Sequence, residues 1–417
     1  MKTRTLHSLA LKLEPWLIGS LLLYFLAVNT YPLIVTIMKP GSYAILGILI
    51  AWRWKRFAYV ASKDIPLLLF AGMSVASVFW TASPAFTSIE FKAALRGTML
   101  GIYLATRYDM KQQMQLWRWV LGIGAVLSMV LPLVLSDYGR NRDDLWIGIY
   151  NFKNGAAANQ TLTALLFLNT ALNGKRYRWL AWMLFSLAIV LLWLTEGKTA
   201  YLVFAISLCL FPLYKFAKQK DKLRVVLMLI MFVLVGSGLV IFVSNMEFIV
   251  VDTLGREMTF SGRIPIWKLM LDQLYERPWL GYGCVGFWTS DYGLYVINNS
   301  WAGGENVGIG EGSIRFNAHN GYMDMLLQYG FVGLSLYMFN IVSVLMRLVN
   351  LLNSPAIIES FWMLQSLISL LLLNFTDNLG TLGSSSLWTF YVSIAFSTAV
   401  EQMRLRRSRL AAELTTT

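Results

Sequence analysis

Histidine occurs only twice in the 417 residues, at His7 and His319. His7 belongs to the basic N-terminal stretch. His319 stands in RFNAHNGYMDMLLQYG, residues 315–330, beside Asn317 and Asn320 and just ahead of an apolar run. Imidazole titrates near neutrality and is the commonest general base. NGYMDML reads as the start of a helix, whose positive N-terminal end favours an imidazole able to accept a proton. Taken alone, His319 fits a structural hydrogen-bonding role equally well. A metal site does not fit: no second histidine is near, Cys209 and Cys284 form no cluster, and Asp324 alone is not a ligand set.

The other reactive residues are cations at the margins of apolar runs. Arg96 lies midway along FKAALRGTMLGIYLAT, with Lys92 one helical turn before it. Lys153 opens KNGAAANQ and Lys198 follows the break in LTEGKTAYLVF. Arg140 and Arg142 precede Lys153, and Arg263 and Arg315 lie in a long polar stretch. As a set they fit an anionic, phosphate-bearing ligand, Arg as a rigid fork of donors and Lys as a point charge. Singly, each has a plainer reading. It snorkels to headgroups, or it pairs with Glu90, Glu196 or Asp377.

The elements that must position these groups are apolar helices. The chain is 57% hydrophobic and only 14% charged, against about a quarter charged in soluble domains. Runs bounded by charge clusters predict an all-α polytopic membrane protein with about twelve transmembrane helices: 16–37, 41–52, 65–80, 91–106, 115–135, 156–172, 179–195, 198–216, 223–244, 331–349, 360–376 and 383–400. With both termini in the cytoplasm, most Lys and Arg fall on the inner side and most Asp and Glu on the outer. The +13 net charge is then a topology signal and an attraction to anionic lipid, not a nucleic-acid footprint.

The expected organisation is helices over 1–244, a large outer loop domain over 245–320, helices over 321–400 and a basic cytoplasmic tail over 401–417. The loop is rich in Gly, Asn and aromatic residues and reads as structured. The N-terminus reads as a retained first helix, because no small-residue cleavage site follows it.

Three blocks stand together in that loop: TFSGRIPIW (259–267), RPWLGYGCVGFW (277–288) and AHNGYMDMLLQYGFVGL (318–334). Their order closely resembles the O-antigen ligase and polymerase superfamily, the Wzy/WaaL-type membrane glycosyltransferases. The resemblance covers about 150 to 345. It implies a GT-C-like fold in the bacterial inner membrane, with an active site facing the periplasm. It implies transfer of a glycan from undecaprenyl diphosphate to an acceptor hydroxyl without metal or other cofactor. Carried over by motif, His319 is the base and Arg263 serves catalysis and holds the diphosphate. Lys198 stands where ligases usually have Arg, and that departure, with Lys153, Asn154 and Gly155 and the GYG and HNGY blocks, leans toward an ExoQ-like exopolysaccharide polymerase branch.

Inverting transfer needs a neutralised leaving diphosphate, a base on the opposite face and a groove for sugars. The first is assigned to Arg263, Lys198, Lys153, Arg142 and Arg96, and the second to His319. Sugar or acceptor contacts are assigned to Asn320, Trp288 and Arg315. Trp267 and Trp279 read instead as core or interface anchors. Two readings of other classes remain: a lipid or polysaccharide transporter, which needs a polar pathway across the whole membrane, and a sensor or channel scaffold without turnover.

Overall fold

The computed structural model describes residues 2–26, 32–141, 144–212, 263–300, 316–378 and 385–416. Among these residues the protein is helical, and the only bridge pairing is an isolated antiparallel one between Arg140 and Trp146. The helices are α1 (Lys2–Leu26), α2 (Pro32–Trp52), α3 (Trp54–Ala61), α4 (Ile65–Ala76), α5 (Pro84–Arg107), α6 (Met110–Val134), α7 (Ser136–Gly139), α8 (Lys153–Asn173), α9 (Arg178–Leu194) and α10 (Lys198–Leu208). Then follow α11 (Arg263–Glu276), α12 (Asp291–Asn298), α13 (Gly321–Leu351), α14 (Ile357–Leu373) and α15 (Ser386–Thr416).

By length and composition, α6 and α13 can each cross a membrane, and the pair Trp54–Ala61 and Ile65–Phe79, bent by 102°, makes a third candidate. Shorter apolar helices run over Thr36–Trp52, Arg178–Leu194, Lys198–Leu208 and Ile357–Leu373. The other long helices carry buried polar side chains, such as Asn159, Gln160, Thr163 and Asn169 on α8. One boundary is corrected. The predicted spans 16–37 and 41–52 are not the units that form, because α2 starts at Pro32 and absorbs the short segment. Proline lacks an N–H and suits the first turn of a helix. The predicted span 223–244 lies outside the described residues. The basic tail continues α15 as one helix to Thr416.

The packing is that of helices in lipid. Large apolar side chains face outward, among them Trp119, Val134 and Ile48. Polar groups turn inward and bridge helices, as expected where no water can satisfy them. Asn169 on α8 donates to Gln365 on α14 (2.7 Å), which donates to the Ser207 carbonyl of α10 (2.9 Å). α15 lies along α5, where a Cβ on Gly101 would fall 2.6 Å from Val392.

The two ends of α5 differ. At its C-terminal end, Arg107 and Arg53 both bind the buried Glu14 carboxylate at 2.9 Å, and Tyr103 donates to the same group. At its N-terminal end, Thr87 donates to the Cys284 carbonyl at 2.7 Å. Twenty residues of helix separate Thr87 from Arg107, about 30 Å at 1.5 Å per residue, which is the thickness of a bilayer's hydrocarbon core. The loop blocks therefore dock a membrane's width away from the Glu14 cluster.

Candidate functional site

The docked loop is fastened through a break in α13. At Gly330 the backbone leaves the helical region (φ 62°, ψ −166°), which frees carbonyls before the break and amides after it. The RPWLGYGCVGFW block supplies the partners. Tyr282 and Gly283 amides donate to the Leu327 and Gln328 carbonyls at 2.8 and 2.9 Å. The Phe331 and Val332 amides donate to Pro278 and Trp279 at 2.8 and 3.2 Å. Gly281 has φ +63°, and a Cβ there would lie 2.3 Å from the Leu327 oxygen. These glycines answer to close backbone approach, not to loop freedom.

Just ahead of α13 the chain is pinned on both sides. Asp324 is fully buried, and its carboxylate accepts the Trp288 indole N–H (2.6 Å), the Ala318 amide (3.1 Å) and the Asn378 side-chain amide (3.0 Å). Trp267 on α11 donates to the Ala318 carbonyl at 2.9 Å. The Asn317 side chain accepts the His319 amide at 2.8 Å. Asn320 caps α13 by accepting from the Tyr322 and Met323 amides. His319 sits between these clamps, half-buried, edge-on to Phe316, with φ 49°. The left-handed region costs a non-glycine residue on the order of 1–3 kcal/mol, and here the surrounding hydrogen bonds impose it.

Two residues beyond the sequence assignments complete the cluster. Asp377 accepts from Asn154, the second residue of α8, at 2.7 Å, and Asn378 donates to Asp324. The turn after α14 thus joins the KNG start of α8 to the histidine segment. Gly321 packs so tightly on Asn374 that a Cβ would meet its Oδ1 at 2.1 Å. The sequence signals this turn only as NFTDN, a polar break between apolar runs, in which Asp377 reads as a cation's partner.

The predicted residues are placed as follows. Lys153 is the first residue of α8 and is half-buried beside Asn154. Lys198 is the first residue of α10 and exposed. Gly197, just before it, approaches Ala157, one turn into α8, so closely that a Cβ would lie 2.6 Å away, so the starts of α8 and α10 adjoin. Lys198 lines an open cleft of about 540 Å³ with Trp146, Trp193 and Glu196. Arg263 opens α11, one turn before Trp267, so its backbone belongs to the same end. Arg142 and Arg315 lie outside the described residues.

Two assignments are corrected. Arg96 is buried within α5, about 13 Å along the axis from Thr87 at 1.5 Å per residue. It donates to Ser42 (2.8 Å) and the Lys39 carbonyl (3.3 Å), and its guanidinium lies over the rings of Tyr43, Phe25 and Tyr24. Burial among rings and α2 partners makes it a structural cation. Trp288 is buried against Phe287 and Phe316, with its N–H on Asp324. It supports the histidine segment instead of offering a face to a sugar. Trp267 is the core anchor that was expected, while Trp279 is exposed.

Among the described residues no group of three or more His, Cys, Asp or Glu could hold a metal ion. The site's resources are one imidazole at a helix N-terminus and lysines at two adjoining N-termini, where positive helix potential and cationic side chains favour anions. Burial pushes the Cys284 thiol up to about 11, which makes it an inert packing group at neutral pH.

No curated protein matches the chain. Residues 163–338, which include Lys198, Arg263, His319 and the Gly330 break, match the family described as O-antigen ligase (Wzy_C). Through that segment the chain is similar to the O-antigen ligase and polymerase superfamily.

Proposed function

We propose that the protein is a membrane glycosyltransferase that moves a glycan from undecaprenyl diphosphate to an acceptor sugar hydroxyl on the periplasmic face of the inner membrane. The observation that carries this reading is the clamped His319 beside helices opened by Lys153, Lys198 and Arg263. His319 receives or orients the acceptor hydroxyl proton. Lys198, Arg263 and Lys153 neutralise the diphosphate as it leaves with the carrier. Attack by the acceptor oxygen at the anomeric carbon breaks that carbon's bond to phosphate oxygen, and the proton passes to the imidazole. Asn320, which caps α13 beside His319, is a candidate acceptor contact, and so is Arg315.

Lys198 in place of the ligase arginine, with the KNG and HNGY blocks, favours a polymerase of surface-polysaccharide repeats. A ligase joining the glycan to lipid A–core uses the same donor and chemistry. The test is product measurement in cells carrying His319→Ala, Arg263→Ala or Lys198→Ala at matched protein levels. Full product in all three removes the enzyme reading. A gene deletion separates the two acceptors. Loss of long chains on the carrier marks a polymerase, and accumulation of unligated long chains marks a ligase. A flippase would release no undecaprenyl diphosphate from purified lipid-linked donor.

A further inference from the structure

The cleft beside Lys198 has a composition that a phosphate site alone does not explain. One wall is the turn between α7 and α8. There Arg140 holds Asp144 through two contacts of 2.9 and 3.1 Å and lies over the Trp146 ring at 5.4 Å. The other wall is the α9–α10 elbow, which presents Trp193, 70% exposed, and Glu196. Tyr201 fixes that elbow by donating to the Trp193 carbonyl at 2.8 Å. Two indoles, two carboxylates and a lysine, with Leu145, Leu194 and Tyr201, therefore line about 540 Å³.

Three occupants can be weighed. An acyl chain would have to take Glu196, Lys198 and the Arg140–Asp144 ion pair out of water, which is costly. A bare phosphate headgroup can reach Lys198 but leaves both indoles without a partner. A sugar ring meets neither penalty. Its C–H face lies on an indole, its hydroxyls donate to carboxylates, and a phosphate on its anomeric oxygen reaches Lys198.

We propose that this cleft is a glycan subsite, which takes a sugar ring of the lipid-linked saccharide next to the diphosphate held by Lys198. The inference rests on the proposed glycosyltransferase reading and adds to it a place and a chemistry for sugar recognition. Trp146 and Trp193 are binding residues for the saccharide and take no part in bond making.

The test uses the full chain in lipid nanodiscs and two probes. One is undecaprenyl diphosphate. The other is the lipid-linked saccharide that accumulates in cells lacking this protein. Wild type binds the saccharide-bearing lipid about tenfold more tightly than the bare carrier, as one aromatic contact can supply. Trp146→Ala and Trp193→Ala each lose most of that preference and keep their affinity for the bare carrier. Trp146→Phe and Trp193→Phe retain the preference, because a ring remains. Full preference in both alanine variants overturns the subsite, as does a wild type that binds both lipids equally. If no saccharide accumulates, or wild type binds neither lipid, the parent reading fails and this one with it.

Discussion

The Asp324 carboxylate lies 2.6 Å from the Trp288 indole nitrogen, although the two residues come from blocks 36 residues apart. The same carboxylate takes the Ala318 amide and the Asn378 side chain. One buried acid therefore joins the loop aromatic cluster, the segment before His319 and the turn after α14. Hydrogen bonds to a buried carboxyl group contribute about 0.5–1.5 kcal/mol each, and leaving a buried donor unpaired costs about 1–3 kcal/mol.

Asp324→Ala should thus release the histidine segment and strand three donors. Product formation is expected to fall by tenfold or more, with a lower thermal midpoint, roughly the effect of losing about 2 kcal/mol of support. Asp324→Asn keeps one acceptor and sets its new amide against the Asn378 amide. Its activity should lie between wild type and alanine. Turnover and thermal unfolding of purified protein measure both, and an alanine variant with wild-type turnover would show that the clamp does not position His319.

The glycine contacts predict a mechanical failure that a thiol probe can read. Gly281→Ala places a Cβ 2.3 Å from the Leu327 oxygen at positive φ, so the loop must lift off the α13 break. Cys284 is buried with its thiol pushed up to about 11. In wild type at pH 7.5 a polar maleimide should label it slowly. In Gly281→Ala, labelling should rise by at least about tenfold, because both access and the thiolate fraction increase. Mass spectrometry of the labelled peptide separates it from Cys209, and unchanged slow labelling would mean the loop stays docked.

How much of this was legible in the sequence follows from the range of each interaction. The helix start in NGYMDML is a local signal, and α13 begins there, at Gly321. Arg96 was misread because hydropathy gives depth and not neighbours; only folding brings Ser42 and three rings from α1 and α2 around it. Trp288 looked like a sugar platform because an exposed and a buried indole are identical in a sequence. Asp377 reads in the sequence only as a cation's counter-ion and Asn378 carries no signal, because a short polar turn between apolar helices is ordinary and their partners lie 223 and 54 residues away.

Arg96 and Lys198 should separate in mutagenesis. Arg96→Gln removes a cation held by Ser42 and aromatic faces, so the thermal midpoint should fall while turnover per folded molecule stays within about twofold of wild type. Stacked cations contribute about 0.5–2 kcal/mol, which sets the scale of that loss. Lys198→Gln, at an exposed residue, should leave the midpoint unchanged and lower turnover. Loss of turnover without loss of stability in Arg96→Gln would return that residue to the diphosphate set.

Asn154 and Asp377 should prove coupled through their 2.7 Å hydrogen bond. Each single change, Asn154→Ala or Asp377→Ala, cuts the tie between the start of α8 and the turn that holds Asp324. Residues in one network give non-additive effects, so the double variant should be little worse than the worse single one. A double-mutant cycle on turnover reads this directly, and strict additivity would show that the two act apart.

His319 allows strain and chemistry to be separated at one position. Its φ of 49° is costly for any side chain with a Cβ and natural for glycine. His319→Ala and His319→Gly both remove the imidazole and its contact with Phe316, so both should abolish product. They differ only in the backbone. The glycine variant gains native-state relief but loses more chain entropy on folding, and at positive φ the relief dominates, by about 1 kcal/mol. The thermal midpoint should therefore be higher for His319→Gly than for His319→Ala, with both inactive. Equal midpoints would mean that the turn relaxes once the imidazole is gone, and that the side chain itself, more than the clamps around Ala318, sets the left-handed geometry.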